Sequence, residues 1–261
     1  MYINLNNLID ALRNFKSSKP FNHCIVENFF KTEVAKKLEN EFPDFNSNIW
    51  HIYDNKLEDK KVCNDWNSFP EMTYKVFSYL NSTNFIDILE KNSLQDKLYA
   101  DPGLHGGGWH IHSKGGKLNV HLDYSLHPKM DLQRKLNIII YLNSRWKTNW
   151  GGSLGLYDNK SDQHPGQLIS AIEPRFNRAV IFDTSQNSWH GLPQKICCPE
   201  NEYRKSLAIY YLCKPQQGIS DRGKALFSPS EEQRKDESVY ELIRKRSSIR
   251  SASSVYVEDS K

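Results

Sequence analysis

The sequence predicts a mainly β protein with flanking helices, an antiparallel jelly roll braced by N-terminal helices. Three observations carry that prediction. Between residues 98 and 212, about eight short β-forming segments alternate with turn-rich loops, and no helical period intervenes. Ahead of them, apolar residues recur at helical spacing. The 261 residues hold no internal repeat and suffice to bury one full core. A single domain is therefore expected, with support elements in 1–95, the β core in 96–215, and a C-terminal helix and loose tail in 216–261.

Leu5, Leu8, Ile9, Leu12 and Phe15 share one helical face, and Pro20 closes that region. Residues 21–29 read as a strand, and Thr32 is placed to cap a helix over 33–42, where Val34, Leu38 and Phe42 recur before Pro43. The polar stretch 46–65, with Trp50, His51 and Tyr53, fits either a hairpin over a site or a solvated excursion. Further helices follow from Ser68 and Pro70, bearing Met72, Val76 and Leu80, and from Ser82 or Thr83, bearing Phe85, Ile86 and Leu89. Core packing is the role expected of all these helices. Strands are expected at 98–100, 117–123, 136–142, 153–157, 167–172, 178–183 and 203–212, with turn chemistry at 146–152 and 159–166. From Ser228 the chain is rich in Lys, Arg, Glu and Ser, with a helix expected over 231–246.

Composition excludes several classes. A net charge of +4, from 35 basic and 31 acidic residues interspersed along the chain, argues against a nucleic-acid partner. No run approaches the roughly 20 apolar residues that cross a bilayer, and residues 1–15 are amphipathic, so a soluble, cytoplasmic protein without a membrane partner is expected. Five cysteines, with Cys197 and Cys198 adjacent and no Cys-x-x-Cys, suggest reduced thiols rather than a disulfide framework or a thiolate zinc site. The run Gly106-Gly107-Gly108 lacks the Gly-Lys-Ser/Thr ending and the following helix of a phosphate cradle.

The chemistry concentrates in a few positions. His121 and Asp123 lie two apart in a strand-like segment and so face one side. Two imidazoles and one carboxylate on one face of a metal leave neighbouring positions open, which is how non-haem Fe(II) oxygenases bind substrate and oxygen. The third ligand must come from elsewhere; His190, delivered by the strand 178–183, is the choice. Arg204 and Ser206 share a strand face and would offer a guanidinium and a hydroxyl to an anion. Each piece is common alone: a His-x-Asp pair is usually surface polarity, a His before Gly a loop residue, an Arg in a strand an edge charge. Their order and spacing together is not.

Residues 104–212 resemble the 2-oxoglutarate and Fe(II) dependent oxygenases, in particular the prolyl 4-hydroxylase-like branch. The matching pieces are His121-Leu122-Asp123, Ile139-Ile140-Tyr141-Leu142-Asn143, Trp150-Gly151-Gly152-Ser153-Leu154-Gly155-Leu156, Ile181-Phe182-Asp183 leading to His190-Gly191-Leu192-Pro193, and Arg204-Lys205-Ser206-Leu207-Ala208-Ile209-Tyr210-Tyr211. The resemblance implies a double-stranded β-helix core and a dioxygenase that splits 2-oxoglutarate to succinate and carbon dioxide while hydroxylating an unactivated C–H. Fe(II) would be held by His121, Asp123 and His190, with O2 as co-reactant and ascorbate as an optional addition. Arg204 would pair with the distal carboxylate of 2-oxoglutarate, helped by Ser206 and Tyr141. Asn137, on the face of Tyr141, and His112, on the strand before the His-x-Asp, would also contact cosubstrate or substrate. Asp123 argues against halogenation, which needs a small residue there. Some relatives use Lys for the cosubstrate; the Arg-x-Ser form matches another part of the family.

A prolyl or other aminoacyl residue in a peptide is the substrate the resemblance implies, with a free amino acid or small metabolite as the alternative. Two other classes compete. A cupin-like metalloprotein would use His110, His112, His121 and Asp123 without 2-oxoglutarate, but leaves Arg204 and Ser206 unexplained. A glycan-binding jelly roll would use Trp109, Trp146, Trp150 and Trp189 as sugar platforms. Oligomeric state is not legible.

Overall fold

The computed structural model describes residues 2–92, 97–185 and 187–247. The loose tail expected from the sequence falls mostly on 248–261, outside the described residues. The first half comprises α1 (Leu5–Leu12), β1 (His23–Val26), α2 (Thr32–Asn40), the hairpin β2 (His51–Asp54) and β3 (Glu58–Cys63), then α3 (Glu71–Leu80) and α4 (Thr83–Asn92). The β-rich half runs β4 (Tyr99–Ala100), β5 (Gly108–His112), β6 (Lys117–Leu118), β7 (His121–Leu122), β8 (Gln133–Tyr141), β9 (Leu154–Ser161) and β10 (His164–Ile172). It closes with β11 (Ala179–Asp183), β12 (His190–Gly191), β13 (Arg204–Cys213), β14 (Leu226–Phe227) and α5 (Glu237–Ser247).

These strands form two antiparallel sheets. The larger has the order β1-β11-β8-β13-β5-β3-β2, with β4 on β13 and β6 on β3, and the smaller β10-β9-β12-β7-β14. Alternation along the large sheet sorts its two faces. Leu136, Ile138 and Ile140 of β8, Leu207, Ile209 and Tyr211 of β13, and Trp109 and Ile111 of β5 pack into one apolar cluster with Leu8, Phe77 and Phe85 of the helices. The opposite face turns Asn137 and Ile139, Arg204, Ser206, Ala208 and Tyr210, and His110 and His112 into a cavity facing the smaller sheet. The core therefore sits on one side of the sheet and the chemistry on the other.

Several local expectations need correction. Thr32 does not cap α2; it is the first residue of the helix, behind an N-cap Lys31 without a side-chain cap bond. The turn read at 159–166 shrinks to two residues, because β9 and β10 extend past the core into solvent, where polar side chains suit an exposed hairpin. The C-terminal helix begins at Glu237, and 231–233 form a separate short turn closed by a capping box between Ser230 and Gln233. The stretch 46–65 is an ordered hairpin that extends the large sheet through β3 onto β5. All five cysteines are free thiols. Among the described residues no helix is long and apolar enough to cross a membrane.

The last helix is fastened across the sheet edge. Val239 packs with Leu57 and Phe227, Lys56 Nζ donates to Asp236 Oδ2 at 2.8 Å, and Arg246 pairs with the buried Glu58. Burial opposes ionisation of Glu58, but Lys60 and Arg246 overcome it and bring its pKa down to about 2 from an ordinary 4.5. A depressed carboxylate pKa stabilises the fold above the unfolded value and loses that contribution as acid protonates the folded form. Wild type should therefore exceed a Glu58→Gln variant in stability above pH 4.5, with the gap closing as pH falls from 4.5 towards 2; denaturant titrations of both proteins across that window check it.

Candidate active site

His121 and His190 meet because β7 and β12 are neighbours in register, His190 opposite His121, with β12 pinned on its other edge by β9. The approach is close enough to require glycine: a Cβ on Gly191 would lie 2.9 Å from the backbone oxygens of Leu118 and Asn119. The imidazole centroids stand 4.3 Å apart. Each ring is oriented in the same way, its Nδ1 donating to the carbonyl two residues earlier, Asn119 at 3.0 Å and Ser188 at 2.8 Å. A carbonyl can only accept, so both Nδ1 atoms carry a proton, and in a neutral imidazole that leaves the Nε2 lone pair for a metal. Burial, then the neighbouring His121, lowers the pKa of His190 to about 4, which keeps it a neutral donor near neutrality.

Asp123 completes the group. One ligand atom from each of His121, Asp123 and His190 lies within 4.8 Å of the others, and all three residues are buried. His121 Nε2 is 3.7 Å from Asp123 Oδ1, and His190 Nε2 is 4.0 Å from Oδ2. Burial would raise the carboxyl pKa, but Arg134, with Nη1 3.1 Å from Oδ1, and the two histidines hold it well below the usual range. Among the described residues Oδ2 has no hydrogen-bond partner. The donor set thus fits a divalent metal: two proton-free nitrogens and one buried anionic oxygen awaiting a cation.

A second feature of the same cavity, about 320 Å³ in volume, fits an anion. Arg204 is only 4% exposed, yet its Nε donates to the Gly152 carbonyl at 2.6 Å and its Nη2 to the Tyr141 hydroxyl at 3.4 Å, and no carboxylate pairs with it among the described residues. Burial accordingly lowers its pKa. Gly152, at φ +74°, makes room: a Cβ there would lie 2.9 Å from Arg204 Cδ. Nearby, His112 is 2% exposed with both ring nitrogens unpartnered, and Asn137 is 1% exposed with an unpartnered Oδ1. Buried polar atoms without partners are uncommon and costly, and here they line one cavity with a lone guanidinium.

The cavity thus collects His121, Asp123, His190, Arg204, Ser206, Asn137 and His112, whereas Tyr141 packs behind it with Leu154 and Leu156 and reaches it through the Arg204 contact. His110 and His112 stand on the large sheet, outside the metal-capable group, which removes the cupin-like ligand set. Trp109 and Trp189 are 1% and 0% exposed, so two of the four tryptophans offer no face to a sugar, and Trp146 packs edge-on against Trp150 with centroids 5.4 Å apart.

Sequence reasoning missed Arg134. Its guanidinium is stacked between the Tyr124 and Tyr210 rings, 3.6 and 3.4 Å from their centroids, and donates to the His105 carbonyl at 3.0 Å. Period two places Arg134 on the helix-facing side with Leu136. The pairing with β13 slips by one between Tyr211–Leu136 and Leu212–Arg134, and that bulge turns Arg134 into the cavity. Arg222 was missed too; it donates to the Asp123 backbone carbonyl from Nε at 3.2 Å and Nη2 at 3.0 Å.

A jelly roll with this donor set and a buried anion-seeking arginine defines a mononuclear metal site paired with an acid-binding site. Residues 107–212, the stretch that carries the metal group and Arg204, match the family model of the 2OG-Fe(II) oxygenase superfamily. Over 57 residues, 22% of this chain, the sequence is 37% identical to prolyl 3-hydroxylase OGFOD1 of Xenopus laevis, so the match spans about a tenth (11%) of that relative's length. The fold is similar to that of a Trichoplax adhaerens prolyl hydroxylase solved with a hypoxia-inducible-factor peptide fragment (TM-score 0.57, 17% identity, 80% of this chain and 90% of that one). It is also similar to a Pseudomonas putida prolyl 4-hydroxylase (TM-score 0.56, 12% identity, 80% and 99%).

Removing one partner of a buried ion pair typically costs about 3–5 kcal/mol, because the other charge is stranded. Arg134→Met should lower the stability of the metal-free protein by about that much. A metal that binds Asp123 should restore part of the loss, read as a larger rise in melting temperature on adding Mn(II) than wild type shows.

Proposed function

We propose that the protein is an Fe(II)- and 2-oxoglutarate-dependent dioxygenase that hydroxylates a prolyl residue in a peptide or protein. The observation that carries the reading is a buried guanidinium, Arg204, in the same cavity as a buried two-histidine, one-aspartate group. A metal alone would explain the triad and leave the arginine unexplained. The superfamily match of 107–212 and the two prolyl hydroxylase folds support the choice of cofactors and substrate over a free amino acid.

His121, Asp123 and His190 would hold Fe(II) on one face. Arg204 would take the distal carboxylate of 2-oxoglutarate through a two-pronged, charge-assisted contact, with Ser206 beside it on the same strand face and the Tyr141 hydroxyl steadying the guanidinium. The His112 ring nitrogens and Asn137 Oδ1, which lack hydrogen-bond partners among the described residues, would meet the remaining polar groups of cosubstrate or substrate. Bound there, the metal supplies dioxygen activation coupled to oxidative decarboxylation of 2-oxoglutarate, one oxygen atom ending in the substrate C–H and the other in succinate. The protein's part is to fix the two acids relative to the substrate and to keep the site dry: Leu154, Ile139 and Leu192 form apolar wall.

Anaerobic loading with Fe(II) and 2-oxoglutarate, then oxygen and proline-containing peptides, should yield succinate and a mass gain of one oxygen on the peptide. His121→Ala and His190→Ala should abolish succinate formation. Arg204→Ala should raise the KM for 2-oxoglutarate by roughly 100-fold or more, the scale of a lost buried charge-assisted contact. Unchanged succinate formation by His190→Ala would refute the ligand set.

A further inference from the structure

We infer, on the reading just given, that the substrate peptide continues from the metal site into a second cavity, which holds it by its main chain with the Thr184 hydroxyl as the central contact.

The second cavity, about 520 Å³ in volume, exceeds the metal cavity and is large enough for a short stretch of chain. It adjoins the metal group. Arg134 lines both cavities, with Nη1 3.1 Å from Asp123 Oδ1, and Ser125, two residues past that aspartate, lines the second. A peptide with one residue at the metal would have its neighbouring residues within reach of this wall.

The lining suits a neutral polar partner. Five carboxamides line the cavity, those of Gln133, Gln163, Asn187, Gln216 and Gln217, together with four hydroxyl side chains. A carboxamide offers one acceptor and two donors, the functions that every peptide unit presents in turn. The charged side chains of the wall are engaged. Arg134 bonds the Asp123 carboxylate and Arg222 the Asp123 carbonyl, while Asp162 Oδ1 accepts from Asn187 Nδ2 at 2.7 Å. Among the described residues no aromatic side chain lines the cavity, so it has no platform on which a base or a sugar ring could stack. Its apolar side chains are Ile219 and Leu226 alone. Such a wall has little with which to choose between side chains, and what it matches is the main chain of an extended peptide.

Thr184 marks where a partner is needed. It is 9% exposed, and its N–H donates to the Lys135 carbonyl at 2.8 Å, yet its Oγ1 is buried with no hydrogen-bond partner among the described residues. A buried hydroxyl left unpaired is costly, and a peptide N–H directed at Oγ1 would satisfy it. The wall is partly fixed beforehand: Gln133 Oε1 accepts from the Gln216 N–H at 2.9 Å, tying the loop after β13 to the start of β8.

The test uses the full chain loaded with Mn(II) and 2-oxoglutarate, and labelled peptides carrying one central proline, with affinity read by fluorescence anisotropy. Exchanging the flanking side chains for alanine should change affinity by less than about threefold. Exchanging single flanking amides for esters, which removes one N–H at a time, should weaken binding roughly three- to tenfold at a position on one side of the proline. In Thr184→Val the parent peptide should bind weaker by a similar factor, and the sensitive ester should cost nothing further. Gln217→Ala, at an exposed position where folding is not at stake, should weaken the parent peptide as well. A flat ester series, an undiminished ester penalty in Thr184→Val, or failure of every peptide to bind would overturn the inference. Turnover on the Fe(II) enzyme separates it from the reading it rests on. Oxygen gain with a flat ester series would keep prolyl hydroxylation and remove the groove, whereas ester-sensitive binding without oxygen gain would keep the groove and count against prolyl hydroxylation.

Discussion

The facing of His190 and His121 across two antiparallel strands is the constraint on which the candidate site rests. Both strands are only two residues long, too short to hold a register by themselves. Their register is imposed from outside, by β9 pairing His190 with Leu156 on one edge and β14 pairing Phe227 with His121 on the other. The small sheet therefore acts as a clamp whose jaws are the eight-residue strand β9 and the short strand β14. Glycine at 191 is what lets the jaws close, since any larger residue would meet the backbone of 118–120.

Around that point the fold buries charges it must compensate. Asp123 has its compensation within the protein: Arg134 on its carboxylate, itself flattened between two tyrosine rings. Among the described residues Arg204 has only a carbonyl and a hydroxyl. The asymmetry matters, because a buried ion without a counter-ion costs far more than one with a partner. A scaffold serving stability alone would pair both arginines or neither. Pairing one and leaving the other to hydrogen-bond acceptors makes a cavity that gains from taking up an acid and a cation together.

How much of this was legible follows from period two. Wherever a strand runs regularly, alternation placed side chains correctly: Arg204 with Ser206, Asn137 with Ile139, and His110 with His112 all fall on the cavity side, and His121 and Asp123 share it too although β7 ends at Leu122. The wall failed where regularity fails. Arg134 sits past a bulge that inverts its side, and nothing in the residues around Gln133 announces the slip. Arg222 acts through a loop contact to a backbone carbonyl, which no spacing rule reaches. Only the far end of the β9–β10 hairpin, 159–166, reads as turn in the sequence, because exposed strand and loop share a polar composition once the core is left behind.

The C-terminal segment was the least legible part, and the reason is physical. Its Lys, Arg and Glu content is what a solvated tail would have, yet Arg222 steadies Asp123, Phe227 stacks on His121, and Arg246 enters the cavity wall beside Glu58. Docking of α5 needs no buried charge: Val239, Leu57 and Phe227 already form an apolar contact, and hydrophobic residues in place of a buried ion pair are often neutral or stabilising. What Arg246 and Glu58 add is a field inside the cavity, held in place by the helix that brings the arginine there. The segment is thus a wall of the cavity as well as a brace of the sheet edge.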